Sequence, residues 1–211
     1  AHLFTGIRFL QDSNRKMPVE GATKFNDLKK AYAKGIELRG RTLGIVGFGR
    51  IGREVAKIAI GIGMDVIAYD LYPFNPEVEM VLGGGIAVKA SFKTATLEEI
   101  IANADLISLE TPFVGKALFG TEELEKMKKG VGLVNCSRGG LIDELALVAA
   151  LDSGKVAFAA LDVFDNEPTP REEILKHPKI SLTPHIGAAT GEAQERIGVE
   201  LANLIIAHFN K

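Results

Sequence analysis

The stretch "TLGIVGFGRIGREVAKIAIGIG", residues 42–63, decides the fold. It opens as a short apolar run, passes through three glycines, and continues as a helical pattern. Gly47, Gly49 and Gly52 stand as G-x-G-x-x-G between a predicted strand and a predicted helix. That context turns a common string into a dinucleotide-binding signature. Each glycine has a physical task. Gly47 permits the tight turn, Gly49 lets a pyrophosphate approach the backbone, and Gly52 lets helix and strand pack closely. The helix N-terminus supplies unpaired N–H groups and the positive end of a dipole, with the amides of Arg50 and Ile51 best placed. The next apolar run, "DVIAYD", ends at Asp70, 18 residues beyond Gly52. A carboxylate at that spacing accepts from a ribose 2′-hydroxyl and repels a 2′-phosphate. The following "LYPFNP" contains no arginine to offset that repulsion, so NAD is expected rather than NADP.

Outward from this unit, strand and helix signals alternate. "GIAVKA", "LISLE", "GLVNCS", "VAFAALD" and "ISLTP" follow as strand candidates, which with the first two makes seven. Between them lie the helical stretches "TLEEIIANA", "TEELEKMKKG", "DELALVAALDSG" and "REEILKH", and the chain ends in "GEAQERIGVELANLIIAHF". Thr96 and Glu99 have capping-box spacing. Several strands are apolar throughout, as expected of a parallel sheet covered on both faces. The pattern predicts an α/β fold of the Rossmann type: a doubly wound parallel sheet of about seven strands. Residues 1–35 read as a helical arm, interrupted around Pro18 and Gly21. The stretch "FNDLKKAYAKG" reads as a short helix closed by Gly35.

Bulk properties narrow the function classes. The 211 residues carry a net charge of −2, which offers no basic field for nucleic acid. No apolar run reaches membrane-spanning length, so no membrane partner is expected. The start, "AHLFTGIRFL", lacks the order of a signal peptide. The single cysteine, Cys136, cannot form an internal disulfide, which fits a reducing, cytoplasmic setting. His2, His177 and His208 have no His, Cys or acidic neighbour at metal-ligand spacing, so no metal site is expected.

Three later strand ends carry chemistry. Arg138 precedes two glycines, Asp162 and Glu167 flank "VFDN", and His185 follows Thr183-Pro184. In a parallel sheet these ends share one edge with the glycine turn. Hydride transfer between NAD and an alcohol needs a base for the hydroxyl proton, and histidine suits neutral pH. A carboxylate hydrogen-bonded to that histidine fixes its tautomer. An arginine gives bidentate recognition of a carboxylate. Arg138, Glu167 and His185 therefore form a chemically complete set, although each taken singly is as readily a structural or solvated residue.

The motifs "GIVGFGRIGREVAKIA", "NCSRGGLIDELAL", "AALDVFDNEP" and "LTPHIGAAT" together resemble the D-isomer-specific 2-hydroxyacid dehydrogenases, most of all the D-3-phosphoglycerate dehydrogenases. The resemblance covers essentially the whole chain. It implies that Arg138 orients the substrate carboxylate and carbonyl, that Glu167 pairs with His185, and that His185 shuttles the proton. It implies that Asp162 helps hold the nicotinamide. Thr111, Pro112, Cys136, Ser137 and the backbone around Gly187 would line the cofactor groove. It also implies homodimerisation, with "RFLQDSNRKMPVEG" as the dimer arm.

Two departures accompany the likeness. Glu110, in "SLETP", stands where the family commonly has histidine. The family's separate substrate-binding domain is expected to be absent from these residues, which leaves one NAD-binding domain over 1–211 with little turnover alone. Two further readings stay open on sequence: a non-enzymatic, NAD-dependent dimeric binding module of corepressor type, and an engineered scaffold.

Overall fold

The computed structural model describes residues 1–113 and 115–210. Two helices, His2–Ile7 (α1) and Leu10–Ala31 (α2), precede strand Thr42–Val46 (β1), helix Arg50–Gly61 (α3) and strand Asp65–Tyr69 (β2). A hairpin of Glu77–Val81 (β3) and Ala87–Ser91 (β4) follows, then the two-residue strand Lys93–Thr94 (β5), helix Leu97–Asn103 (α4) and strand Leu106–Leu109 (β6). The second half runs Thr121–Lys126 (α5), Val131–Asn135 (β7), Glu144–Asp152 (α6), Val156–Leu161 (β8), Glu172–Lys176 (α7), Ile180–Leu182 (β9) and Gly191–Phe209 (α8).

Seven strands form one sheet in the order β5-β2-β1-β6-β7-β8-β9, and every recorded pairing in it is parallel. The order reverses at β1, so helices cover both faces. On one face Ile100 of α4, Leu124 of α5 and Leu147 of α6 join Ile107, Leu109 and Leu133 of the strands. On the other, Ile7 of α1 and Ala56 and Ala59 of α3 meet Leu43, Ile45 and Phe158. Two buried faces explain why β6 and β7 are apolar without alternation. The capping box forms as expected: Glu99 N–H donates to Thr96 Oγ1 at 3.1 Å, and Thr96 N–H donates to Glu99 Oε2 at 2.8 Å.

Three expectations need correction. "GIAVKA" supplies a strand, but β4 pairs only with β3 in a separate antiparallel ribbon, and the sheet's outer strand is β5. The ribbon has one wet face. Val78 and Met80 are buried while Glu77 and Glu79 are exposed, so it lies over α3 and cannot sit inside a doubly covered sheet. Second, α2 runs through Pro18 and Gly21, and its non-helical residue is Lys24 (φ −124°, ψ 26°). The helix is largely exposed, so a carbonyl that loses its partner to Pro18 can turn to water. Third, "FNDLKKAYAKG" does form a helical segment of its own beyond the kink at Lys24, but it ends at Ala31 with Tyr32 as its C-cap and is not closed by Gly35. Among the described residues no helix is long and apolar enough to cross a membrane.

Candidate functional site

The sheet register places the chemistry on one edge. Val46 pairs with Tyr69 and Leu109, Leu109 with Asn135, Asn135 with Leu161, and Leu161 with Leu182. These residues form one level across six strands. Gly47, Asp70, Glu110, Cys136, Asp162 and Thr183 each come next in the chain and therefore line one carboxyl edge.

The glycine turn has the three properties that its spacing predicts. Gly47 adopts φ +99°, and a Cβ there would sit 2.5 Å from the carbonyl oxygen of Glu110. A Cβ on Gly52 would lie 2.1 Å from the Gly47 oxygen, so α3 packs directly on the turn. A Cβ on Gly49 would meet nothing within 4 Å, which leaves the approach to the backbone open. Gly49 caps α3 without a side-chain bond, so the first-turn amides at Arg50 and Ile51 remain available to an anion. Asp70 faces the same turn: its Oδ2 accepts from the Phe48 amide at 2.6 Å and its Oδ1 from the Tyr72 amide at 3.1 Å. The Phe48 ring packs against Phe74 and Phe92, with the Arg53 guanidinium 5.0 Å from its centroid.

At the other end of the edge, His185 Nδ1 lies 2.8 Å from Glu167 Oε2. An ionised carboxylate only accepts, so Nδ1 carries the proton and Nε2 of a neutral ring is left to accept one. Glu167 Oε1 accepts from the Phe164 amide at 3.0 Å. The His185 bond is the main reason that Glu167 titrates below the usual carboxylate range. Arg138, Glu167 and His185 line one pocket of about 380 Å³ together with Phe113, Gly140 and Asp165. The trio separated by up to 47 positions in sequence is thus brought together.

Asp162 is 1% exposed. Its oxygens accept from the Thr183 hydroxyl, the Ile186 amide at 2.9 Å and the Gly187 amide at 2.7 Å. Burial alone pushes this carboxyl up, but those hydrogen bonds outweigh it and hold it below its ordinary range. A Cβ on Gly187 would lie 2.9 Å from Asp162 Oδ2, so the glycine admits the carboxylate. Asp162 thereby anchors the turn that carries His185. The Cys136 thiol is pushed up to about 12 by burial and by Asp162 and Glu110, which suits packing and not nucleophilic attack. Ser137 donates its hydroxyl to the Thr111 carbonyl and ties the β7 end to the β6 end. Glu110 accepts from the Ser108 hydroxyl at 2.7 Å, and burial raises its carboxyl above the usual range.

Sequence reasoning missed several supports. Buried Glu144 accepts from the Asp165 amide at 3.0 Å and meets Arg171 at 3.4 Å, bracing the loop before Glu167. Thr183 is read in the sequence only as the residue before Pro184, and Phe113 not at all. Two of these carry usable signals, since Glu144 opens an apolar helix and Thr183 sits between a strand and Pro184.

A doubly wound parallel sheet with an open glycine turn at a helix N-terminus, and a carboxylate ending the next strand, defines a Rossmann-type dinucleotide-binding domain. Residues 1–187 match the family described as D-isomer specific 2-hydroxyacid dehydrogenase, NAD binding domain, and the chain belongs to that family. It is 44% identical over 180 residues to D-3-phosphoglycerate dehydrogenase of Bacillus subtilis, covering 84% of this chain and 32% of that protein. It is 43% identical over 182 residues to hydroxypyruvate reductase of Thermotoga maritima, covering 84% of this chain and 56% of that one. A glyoxylate reductase crystal structure from Paecilomyes thermophila superposes with a TM-score of 0.82 at 34% identity, over 100% of this chain and 60% of that one. The chain therefore spans about one to two thirds of the length of these proteins.

Proposed function

We propose that residues 1–211 form the cofactor-binding part of an NAD-dependent dehydrogenase that interconverts a D-2-hydroxy acid and its 2-keto acid, of the D-3-phosphoglycerate type. The observation that carries this is the His185–Glu167 pair in one pocket with Arg138, on the same sheet edge as the glycine turn. The residues fit the cofactor. Gly47, Gly49 and Gly52 shape its pyrophosphate seat, with the amides of Arg50 and Ile51 facing the anion. Asp70 suits an unphosphorylated ribose. Thr111, Pro112, Cys136, Ser137 and the backbone at Gly187 line the groove between Asp70 and His185, and Asp162 holds the Gly187 end of it. Bound there, NAD supplies the hydride acceptor for the substrate carbon.

The chain's own residues supply the rest. Arg138 pairs with the substrate carboxylate and fixes the hydroxyl-bearing carbon. Nε2 of His185 takes the hydroxyl proton, while Glu167 keeps Nδ1 protonated and the ring oriented. A second domain would close the pocket against water and read the rest of the substrate. Exposed Phe4, Phe9, Leu10, Met17 and Val19 on α1 and α2 support that arm as the contact of a homodimer. The single, half-buried thiol of Cys136 suits a cytoplasmic protein.

The test is to graft residues 1–211 in place of the matching segment of the Bacillus subtilis enzyme and follow NADH formation with D-3-phosphoglycerate. The grafted protein is expected to turn over, and His185→Ala to lower kcat by roughly 10²- to 10⁴-fold. A folded graft that binds NAD but gives no activity on any 2-hydroxy or 2-keto acid would overturn the reading.

A further inference from the structure

Helix α1 packs on β7, β8 and β9, with Gly6 flush on the Phe158 ring. That packing brings His2 to the back of the site. His2 Nε2 is 3.1 Å from Thr183 Oγ1, and His2 Nδ1 is 3.5 Å from Ser181 Oγ. Thr183 bonds in turn to Asp162 Oδ1, and Asp162 holds the amides of Ile186 and Gly187. These bonds form a chain from the first helix to the turn beside His185.

The donor inventory fixes its direction. Ionised Asp162 only accepts, so the one hydroxyl proton of Thr183 goes to it. Thr183 Oγ1 must then accept from His2, which requires the proton on Nε2 and leaves Nδ1 to accept from Ser181. Each bond polarises the next in such a chain. The charged side chain acting on His2 is Asp162, just beyond the end of β8. Ser181 and Thr183 on the β9 side are uncharged. Burial lowers the imidazole pKa, and Asp162 opposes that.

We propose that His2 is a positioning residue for the proton-transfer loop: with its proton on Nε2 it orients the Thr183 hydroxyl onto Asp162, and so holds the Ile186 and Gly187 amides that set the place of His185. The functional meaning rests on the role proposed for His185, whereas the hydrogen-bond chain is testable without it.

The experiment is amide hydrogen exchange on the 211-residue chain without cofactor, read at Ile186 and Gly187. The amides of Leu133 and Ala159 in the sheet serve as internal references. His2→Ala is expected to speed exchange at Ile186 and Gly187 by roughly 3- to 10-fold, the effect of one hydrogen bond, and to leave the references unchanged. His2→Gln keeps a donor in place of Nε2 and is expected to restore protection. Adding His2→Ala to Thr183→Val is expected to cause no further loss. Nitrogen-15 spectra of the unaltered chain should show the Nε2–H tautomer at His2, which decides the matter even where His2→Ala fails to fold. An Nδ1–H tautomer, unchanged exchange in His2→Ala, equal acceleration at the references, or failure of Gln to rescue would each overturn the proposal. An NAD titration of the same variants separates the two ideas: the expected exchange pattern in a chain that binds no NAD would keep the relay and refute the cofactor reading.

Discussion

His185 takes φ +54°, a left-handed conformation unusual for a residue with a side chain. Such strain persists only when its surroundings fix it. Here Asp162 does so through the two amides that follow His185. Asp162→Asn puts an NH₂ group where amides already donate, and it is expected to cost about 1–3 kcal/mol at neutral pH, read by urea unfolding. The sign of its pH dependence follows from the lowered carboxyl of the folded state. As pH falls, the unfolded chain protonates first. The stability due to Asp162 is therefore complete above the ordinary carboxylate pKa and lost as pH falls through the lowered folded value. The Asn variant should show a flatter decline over that range. Cys136 gives a second check. With its thiol near pKa 12, it should resist iodoacetamide at pH 8 in the native chain and react once urea unfolds it. The sequence makes Arg138, Glu167 and His185 legible because each lies in a distinctive motif just after a strand. The link between His2 and Thr183 is silent there because 181 positions separate them and only the packing of α1 makes them neighbours.

Among the elements, the turn from β1 into α3 is the most tightly specified. Gly52→Ala would press a methyl carbon to 2.1 Å from the Gly47 oxygen, backbone against backbone. The expected result is a loss of about 1–3 kcal/mol in urea unfolding, with weakened NAD binding because the pyrophosphate seat shifts. This unit reads directly from sequence, since glycine spacing, strand and helix all have local causes. The β3–β4 ribbon does not. Its strands are as short as those of the sheet, and only the alternation of Val78 and Met80 with glutamates marks a half-wet surface. The two-residue β5 is too short to leave a periodic signal. Pro18 misleads for a different reason: an exposed helix tolerates a missing hydrogen bond that a buried one would not.

For the molecule as a whole, parallel order places residues from six strand ends on one edge, and that is why distant motifs act together. The fold class was legible because alternation of apolar strands and helices leaves few topologies. The arm α1–α2 and helix α8 are different. Phe25, Ile197, Val199, Leu201 and Phe209 are exposed along them, a surface that asks for partners. Sedimentation of the chain, with and without Val19→Glu in α2, tests the homodimer: association lost in the variant is expected, and a monomer in both would refute it. The central claim is cofactor choice by the glycine turn and Asp70, and calorimetric titration tests it most directly. Saturable one-site binding of NAD is predicted, with NADP and the Asp70→Ala variant each weaker by roughly tenfold or more. Equal affinity for NADP, or no saturable binding of NAD by the folded chain, would contradict the account.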